Sequence, residues 1–213
     1  MPSVKVTIVD YGAGNIRSVV GALSAIGVDS CVEDRPGRIR MAGAIVLPGV
    51  GSFNAAMSQL DSRGVSDALR DSVDRGSVLL GVCLGMQLLG EWSDEGTGGR
   101  GLGLVPGHSR RFSPTHSSHV RIPHMGFNSV SAAAASVLFQ DLPPDGDFYF
   151  AHSFRMAKDD AWSGHNLGLT DYGGSFVSAY EFDGSVFGVQ FHPELSQGNG
   201  LMLLSNFARH ASC

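Results

Sequence analysis

Two runs that are apolar at every residue, Ala44-Ile45-Val46-Leu47 and Val78-Leu79-Leu80-Gly81-Val82, constrain the fold more than any other feature of this chain. A strand with one wet face alternates apolar and polar side chains. A strand that is apolar throughout must be covered on both faces, the condition of a parallel sheet between helical layers. The neighbouring segments agree. Residues 4–9 are β-rich and end in the turn-prone stretch 10–15, and a further strand is expected over residues 28–33. Ile16, Val19, Val20, Leu23 and Ile26 recur at helical spacing, and Gly27 closes that helix. A second helix is expected over about residues 54–74.

The second half reads differently. Strands are expected over residues 120–130, 148–150, 168–170, 176–182 and 186–191, with little helix between them, followed by a helix over about residues 200–210. No internal repeat, low-complexity tract or long linker divides the chain. The expectation is one α/β domain over residues 1–213, with a mainly parallel central sheet covered by helices on both faces and an antiparallel extension in the second half.

Composition narrows the function classes. With 43% hydrophobic and 16% charged residues, the 213-residue chain can bury a sizeable core. Fifteen basic against twenty acidic residues leave a net charge of −5, which gives no general cationic field for nucleic acid. The three cysteines, Cys31, Cys83 and Cys213, are too scattered for a disulfide framework, and no Cys-x-x-Cys pair suggests zinc or redox chemistry. No apolar run approaches the length needed to span a membrane, and residues 1–10 carry no leader pattern, so a cytoplasmic location is expected. His116, His119 and His124 sit in a Ser/Pro-rich stretch without cysteines, and no metal is expected there. Gly12-Ala13-Gly14-Asn15-Ile16-Arg17 lacks the third glycine of a dinucleotide fingerprint, so a nucleotide site is discounted.

The sharpest chemical signal is Gly81-Val82-Cys83-Leu84-Gly85, where a buried strand meets a helix. A nucleophile on such a strained turn needs flanking glycines, because Cβ atoms there would strike the sheet and the following helix. The helix N-terminus would also stabilise a thiolate. A buried structural cysteine is the bland alternative. A base is offered by Phe191-His192-Pro193-Glu194, in which residues two apart in extended backbone share a side, so Glu194 can orient the His192 ring. Seen alone, that element is an edge-of-strand histidine beside a solvated carboxylate. Together the two elements suit acyl transfer through a thioester. Oxyanion donors would come from Gly49-Val50-Gly51 and the N–H of Leu84, in a segment where Ser52 also reads as a helix cap.

These residues resemble the class I glutamine amidotransferases of the Cys-His-Glu triad type. The matching segments run in order through Asp10-Tyr11-Gly12-Ala13-Gly14-Asn15, Pro48-Gly49-Val50-Gly51 and Gly81-Val82-Cys83-Leu84-Gly85-Met86-Gln87. They continue through Pro123-His124-Met125-Gly126-Phe127-Asn128, Tyr149-Phe150-Ala151-His152-Ser153-Phe154, Asp171-Tyr172-Gly173-Gly174 and Gln190-Phe191-His192-Pro193-Glu194. Within the family, the set is similar to the branch that feeds imidazole glycerol phosphate formation in histidine biosynthesis.

The resemblance implies hydrolysis of L-glutamine to glutamate and ammonia, with Cys83 as nucleophile, His192 as acid/base and Glu194 as orienting residue. It implies that Gly49, Gly51, Leu84, Gln87, Ser153 and Phe154 hold the substrate or its oxyanion. It also implies a heterodimer with a separate (β/α)₈-barrel synthase subunit, met through His124, Phe127, Tyr149 and Leu195, and no cofactor. Two positions depart from the pattern. Phe127 stands where the family usually has Trp, and Leu195 where it usually has Lys or Arg. They leave open a paralogous glutaminase that supplies a different synthase, such as one aminating surface sugars. A catalytically silent regulatory subunit is disfavoured by the complete triad. A cysteine peptidase would not need the pattern around Gln87.

Overall fold

The computed structural model describes residues 4–112 and 120–212. His116, His119 and Cys213 lie outside the described residues. The first half alternates as the apolar runs require: β1 (Lys5–Val9), α1 (Ile16–Ala25), β2 (Asp29–Glu33), α2 (Pro36–Ile39), β3 (Ala44–Gly49), α3 (Phe53–Ser62), α4 (Val65–Asp74), β4 (Val78–Cys83) and α5 (Leu84–Leu88). The second half is mostly strand: β5 (Trp92–Ser93), β6 (Gly99–Arg100), β7 (His108–Arg111), β8 (His124–Ala132), β9 (Asp145–His152), β10 (Phe154–Met156), β11 (Asn166–Asp171), β12 (Ser175–Phe182) and β13 (Val186–Val189), closed by α6 (Gln197–His210).

The sheet begins β2-β1-β3-β4-β13, and every pair in that run is parallel. From β13 it turns antiparallel through β12, β10 and β7, while β11 carries β8 and β9 away from β12. The inserted β13 matters most for function, because a late segment of the chain lands beside the strand that carries Cys83.

Both faces of the parallel part are covered. Along β3, Ala44 and Val46 pack in one cluster with Val19 and Leu23 of α1 and Leu203 and Phe207 of α6. Ile45 and Leu47 pack in the other, with Phe53 and Leu60 of α3 and Leu69 of α4. That two-sided burial is why no residue of the strand is polar, and each fully buried Leu, Ile or Phe contributes about 1.5–3 kcal/mol.

The structure corrects several boundaries. The expected single helix over residues 54–74 is two helices, broken at Gly64, whose φ of +68° is left-handed. Its apolar spacing hides the break, since Met57, Leu60, Val65, Ala68 and Leu69 all face one cluster. The strand expected from residue 120 starts at His124, after Pro123, which has no N–H for a ladder. The strand at 148–150 extends over Asp145–His152, and the last helix starts at Gln197. No helix among the described residues is long and apolar enough to cross a membrane.

Candidate active site

Register brings the site together. Gly49 of β3 pairs with Cys83 of β4, and Val82 pairs with Val189 of β13. Three adjacent parallel strands therefore end at one level, and the carboxyl edge of such a sheet is where α/β proteins build sites. Beyond β13 the chain needs only Gln190 and Phe191 to reach His192.

Cys83 adopts φ 55° and ψ −110°, a left-handed conformation that L side chains avoid and that costs about 1–3 kcal/mol. Close backbone approach holds it there. A Cβ on Gly49 would lie 2.6 Å from the Gly85 nitrogen, and one on Gly81 would lie 2.7 Å from the Met86 nitrogen. One on Gly85 would fall on the Leu47 carbonyl. The glycines thus let β3, β4 and α5 meet at the turn, as the pentapeptide suggested.

On one side the imidazole of His192 has Cys83 as its neighbour in the same cavity wall, and that side chain acts to raise the ring's pKa. On the other, its Nδ1 lies 2.9 Å from Glu194 Oε1, with both side chains buried. The route differs from the extended one expected, because residues Pro193–Leu195 form a 3-10 turn that folds Glu194 back under the ring. The Ser196 hydroxyl donates to the His192 carbonyl and accepts the Tyr149 N–H, which ties the turn to β9. Burial alone lowers the His192 pKa. The hydrogen bonds and charges of Cys83 and Glu194 outweigh it and push the ring up to about 10. A cysteine beside an imidazole that rests on a buried carboxylate is an arrangement able to supply the nucleophile, the acid/base and the orienting group that acyl transfer requires.

Cys83 and His192 open into a cavity of about 540 Å³, lined also by Gly51, Leu84, Gln87, Ser153 and Phe154, with Glu194 buried behind the ring. A larger cavity of about 690 Å³, between α3, α4 and the segment 91–108, contains none of them. Gly49 is not part of the lining and packs instead against α5 and Tyr11. Asn15, within the discounted glycine-rich stretch, does reach the cavity.

The glutamine amidotransferase class-I family model matches residues 7–211. The chain belongs to that family. It is 42% identical over 205 residues to the imidazole glycerol phosphate synthase subunit HisH of Chlorobaculum tepidum, covering 95% of this chain and 98% of that one. It is 42% identical over 209 residues to the HisH subunit of Moorella thermoacetica, covering 97% and 96%. Among solved structures, a glutamine amidotransferase superposes with a TM-score of 0.74 at 19% identity, covering 97% of this chain and 99% of that chain. PurLQS from Thermotoga maritima superposes with a TM-score of 0.71 at 18% identity, covering 97% and 98%. These two share the fold.

In this amidotransferase, Tyr149 and Leu195 line the cavity, and Phe127 stands 51% exposed with its ring edge-on to Tyr149 at 5.6 Å. His124 does not join them at the surface. It is buried, stacked between Phe150 and Tyr172, with Nδ1 3.0 Å from Nε2 of His152, its cross-strand partner. Direct contact with a docking subunit is therefore corrected for His124, whose ring belongs to the interior. Sequence reasoning missed two residues at the site. His152 lines the cavity beside Ser153, and Gln190 lies behind Cys83.

Burial pushes His152 down to about 3 and His124 down to about 4, so the pair is neutral when folded. An unfolded histidine titrates near 6.5. Below that pH the unfolded chain binds protons that the folded pair refuses, so stability falls as pH drops from about 6.5 towards 4, by up to about 1.4 kcal/mol per pH unit for each ring. Urea unfolding at pH 6.5 and 5.5 should show the wild type losing about 2 kcal/mol more than a His124→Asn/His152→Gln variant. Equal losses would contradict the neutral pair.

Proposed function

We propose that this chain is the glutaminase subunit of an imidazole glycerol phosphate synthase, acting as a single amidotransferase domain over residues 1–213 in the cytoplasm. The observation that carries the reading is the Cys83–His192–Glu194 chain at the end of three parallel strands, in a sequence 42% identical to HisH subunits along nearly its whole length. The Cys83 thiolate attacks the carboxamide carbon of L-glutamine. The oxyanion is met by the Leu84 N–H and by the backbone of Val50 and Gly51, which line the cavity. His192 gives its proton to the leaving nitrogen, ammonia departs and a γ-glutamyl thioester remains. Water attacks the thioester as His192 takes its proton back, which frees glutamate and the thiolate.

Gln87 has a role that its bonding narrows. Both of its amide hydrogens are engaged, by the Phe154 carbonyl at 3.0 Å and by Gln190 Oε1 at 2.9 Å. That leaves Oε1 to accept from the ammonium of the substrate, while Ser153 and Phe154 present their backbone to its carboxylate.

The partner is read as a (β/α)₈-barrel subunit that receives the ammonia. Val50, Met125 and Leu195 line the cavity and remain 44%, 65% and 42% exposed, an apolar rim that a docked subunit would cover. A cation at Leu195 would have supplied an interface charge pair; without it the contact there is apolar. That feature, with Phe127, also favours a second reading, in which the recipient is a sugar-aminating synthase. Growth without histidine separates the two. A bacterial strain lacking its own histidine-pathway glutaminase should grow when given this chain with its cognate barrel subunit. No growth, with both proteins expressed and folded, would reject the histidine assignment.

A further inference from the structure

Gln190 is fully buried directly after β13, and continuing the register of Val189 with Val82 sets it opposite Cys83. Its backbone is fixed by an N–H donated to the Ser178 carbonyl at 2.8 Å. Its side chain lies between two groups, Gln87 and the Cys83 sulfur.

The direction of both amides follows from one backbone oxygen. The Phe154 carbonyl can only accept, so Gln87 must turn its NH₂ towards it, at 3.0 Å. The second hydrogen of that NH₂ points at Gln190, which must answer with its oxygen, at 2.9 Å. The Gln190 NH₂ is thereby left facing the Cys83 sulfur, at 3.8 Å. Turning either amide over would set two oxygens or two NH₂ groups against each other. The same carbonyl also accepts from His152 Nδ1 at 2.7 Å, which fixes it further.

We propose that Gln190 is a positioning donor for the nucleophile: its amide N–H holds the Cys83 sulfur from the sheet side, opposite His192, in an orientation imposed through Gln87 by the Phe154 carbonyl. A sulfur that accepts from a donor fixed on the neighbouring strand is held in one rotamer, aimed at the cavity that Cys83 and His192 share. The proposal rests on the reading of Cys83 as the nucleophile and is independent of which substrate it attacks.

The test uses the full-length chain without glutamine. Iodoacetamide labelling at pH 7 is followed by mass spectrometry on the Cys83 peptide, so that the other cysteines do not interfere. Gln190→Met removes the donor at similar size and should slow labelling about three- to tenfold. In the glutaminase assay, kcat should fall about tenfold while KM for glutamine changes less than about threefold. Gln190→Glu keeps the oxygen that accepts from Gln87 and replaces the donor with an acceptor, so labelling should be slower still. Wild-type labelling in a folded variant overturns the proposal. So does a raised KM with labelling unchanged, which would mean that Gln190 merely seats Gln87. If both substitutions unfold the chain, the side-chain amide protons of Gln190 in the otherwise native protein decide. They should move on Cys83→Ala, and indifference would overturn the proposal. A loss of glutaminase activity alone, with labelling still dependent on Gln190, would sink the substrate reading and leave this one standing.

Discussion

Cys83→Ala and Cys83→Gly are both expected to lower glutamine hydrolysis by about 10⁴-fold or more, because neither variant can form the thioester. The two should separate in stability. In ordinary helix or strand positions Gly is worse than Ala by roughly 0.5–1 kcal/mol. At φ 55° and ψ −110° the order should invert, since Ala inherits the strain of the turn and Gly releases it. The Gly variant should therefore be the more stable by about 1 kcal/mol in urea unfolding. A Gly variant less stable than the Ala variant would mean that the turn is not strained, and that close approach alone explains the flanking glycines.

A large loss of stability is expected from a single methyl group, Gly85→Ala. Its Cβ would land on the Leu47 carbonyl, a backbone atom held in the centre of the sheet, so no side chain can swing aside. Either β3 or α5 must shift, and the cost should be about 3 kcal/mol or more, with the chain recovered unfolded or with a much lower urea midpoint. Gly21→Ala provides the contrast. Gly21 is exposed within α1 and a Cβ there meets nothing within 4 Å, so this change should stabilise by about 0.5–1 kcal/mol. Similar urea midpoints for the two variants would refute the account of why α5 packs so closely on the sheet.

The features legible in the sequence share a physical reason: each is recorded locally. A strand covered on both faces writes its burial into every residue, which is why β3 and β4 could be read directly. The turn at Cys83 is legible because close backbone approach forces glycine at fixed offsets. His192 and Glu194 could be paired because they are neighbours, although a 3-10 turn brings them together instead of extended strand.

What escaped the sequence depends on distant partners. Gln190 looks like any polar strand residue until the register sets it opposite Cys83. Along β8 the usual pattern is inverted, with Met125 and Phe127 exposed and His124 buried. The polar ring is tolerated inside because β9 presents His152 to it, and the apolar residues face the side where Tyr149 and Leu195 open the cavity. Read without that pairing, His124 looks like a surface residue. The break at Gly64 escaped for the opposite reason, because the apolar periodicity runs through it unchanged.

Glutamate release from L-glutamine tests the Cys83 chemistry most directly. The assay compares the chain alone, the chain with the histidine-pathway barrel subunit and its nucleotide, and Cys83→Ala in the same mixtures. Hydrolysis should be stimulated strongly by the loaded barrel and should vanish with Cys83→Ala. Glutamate release that persists in Cys83→Ala, or none in any mixture of folded wild-type proteins, would contradict that chemistry.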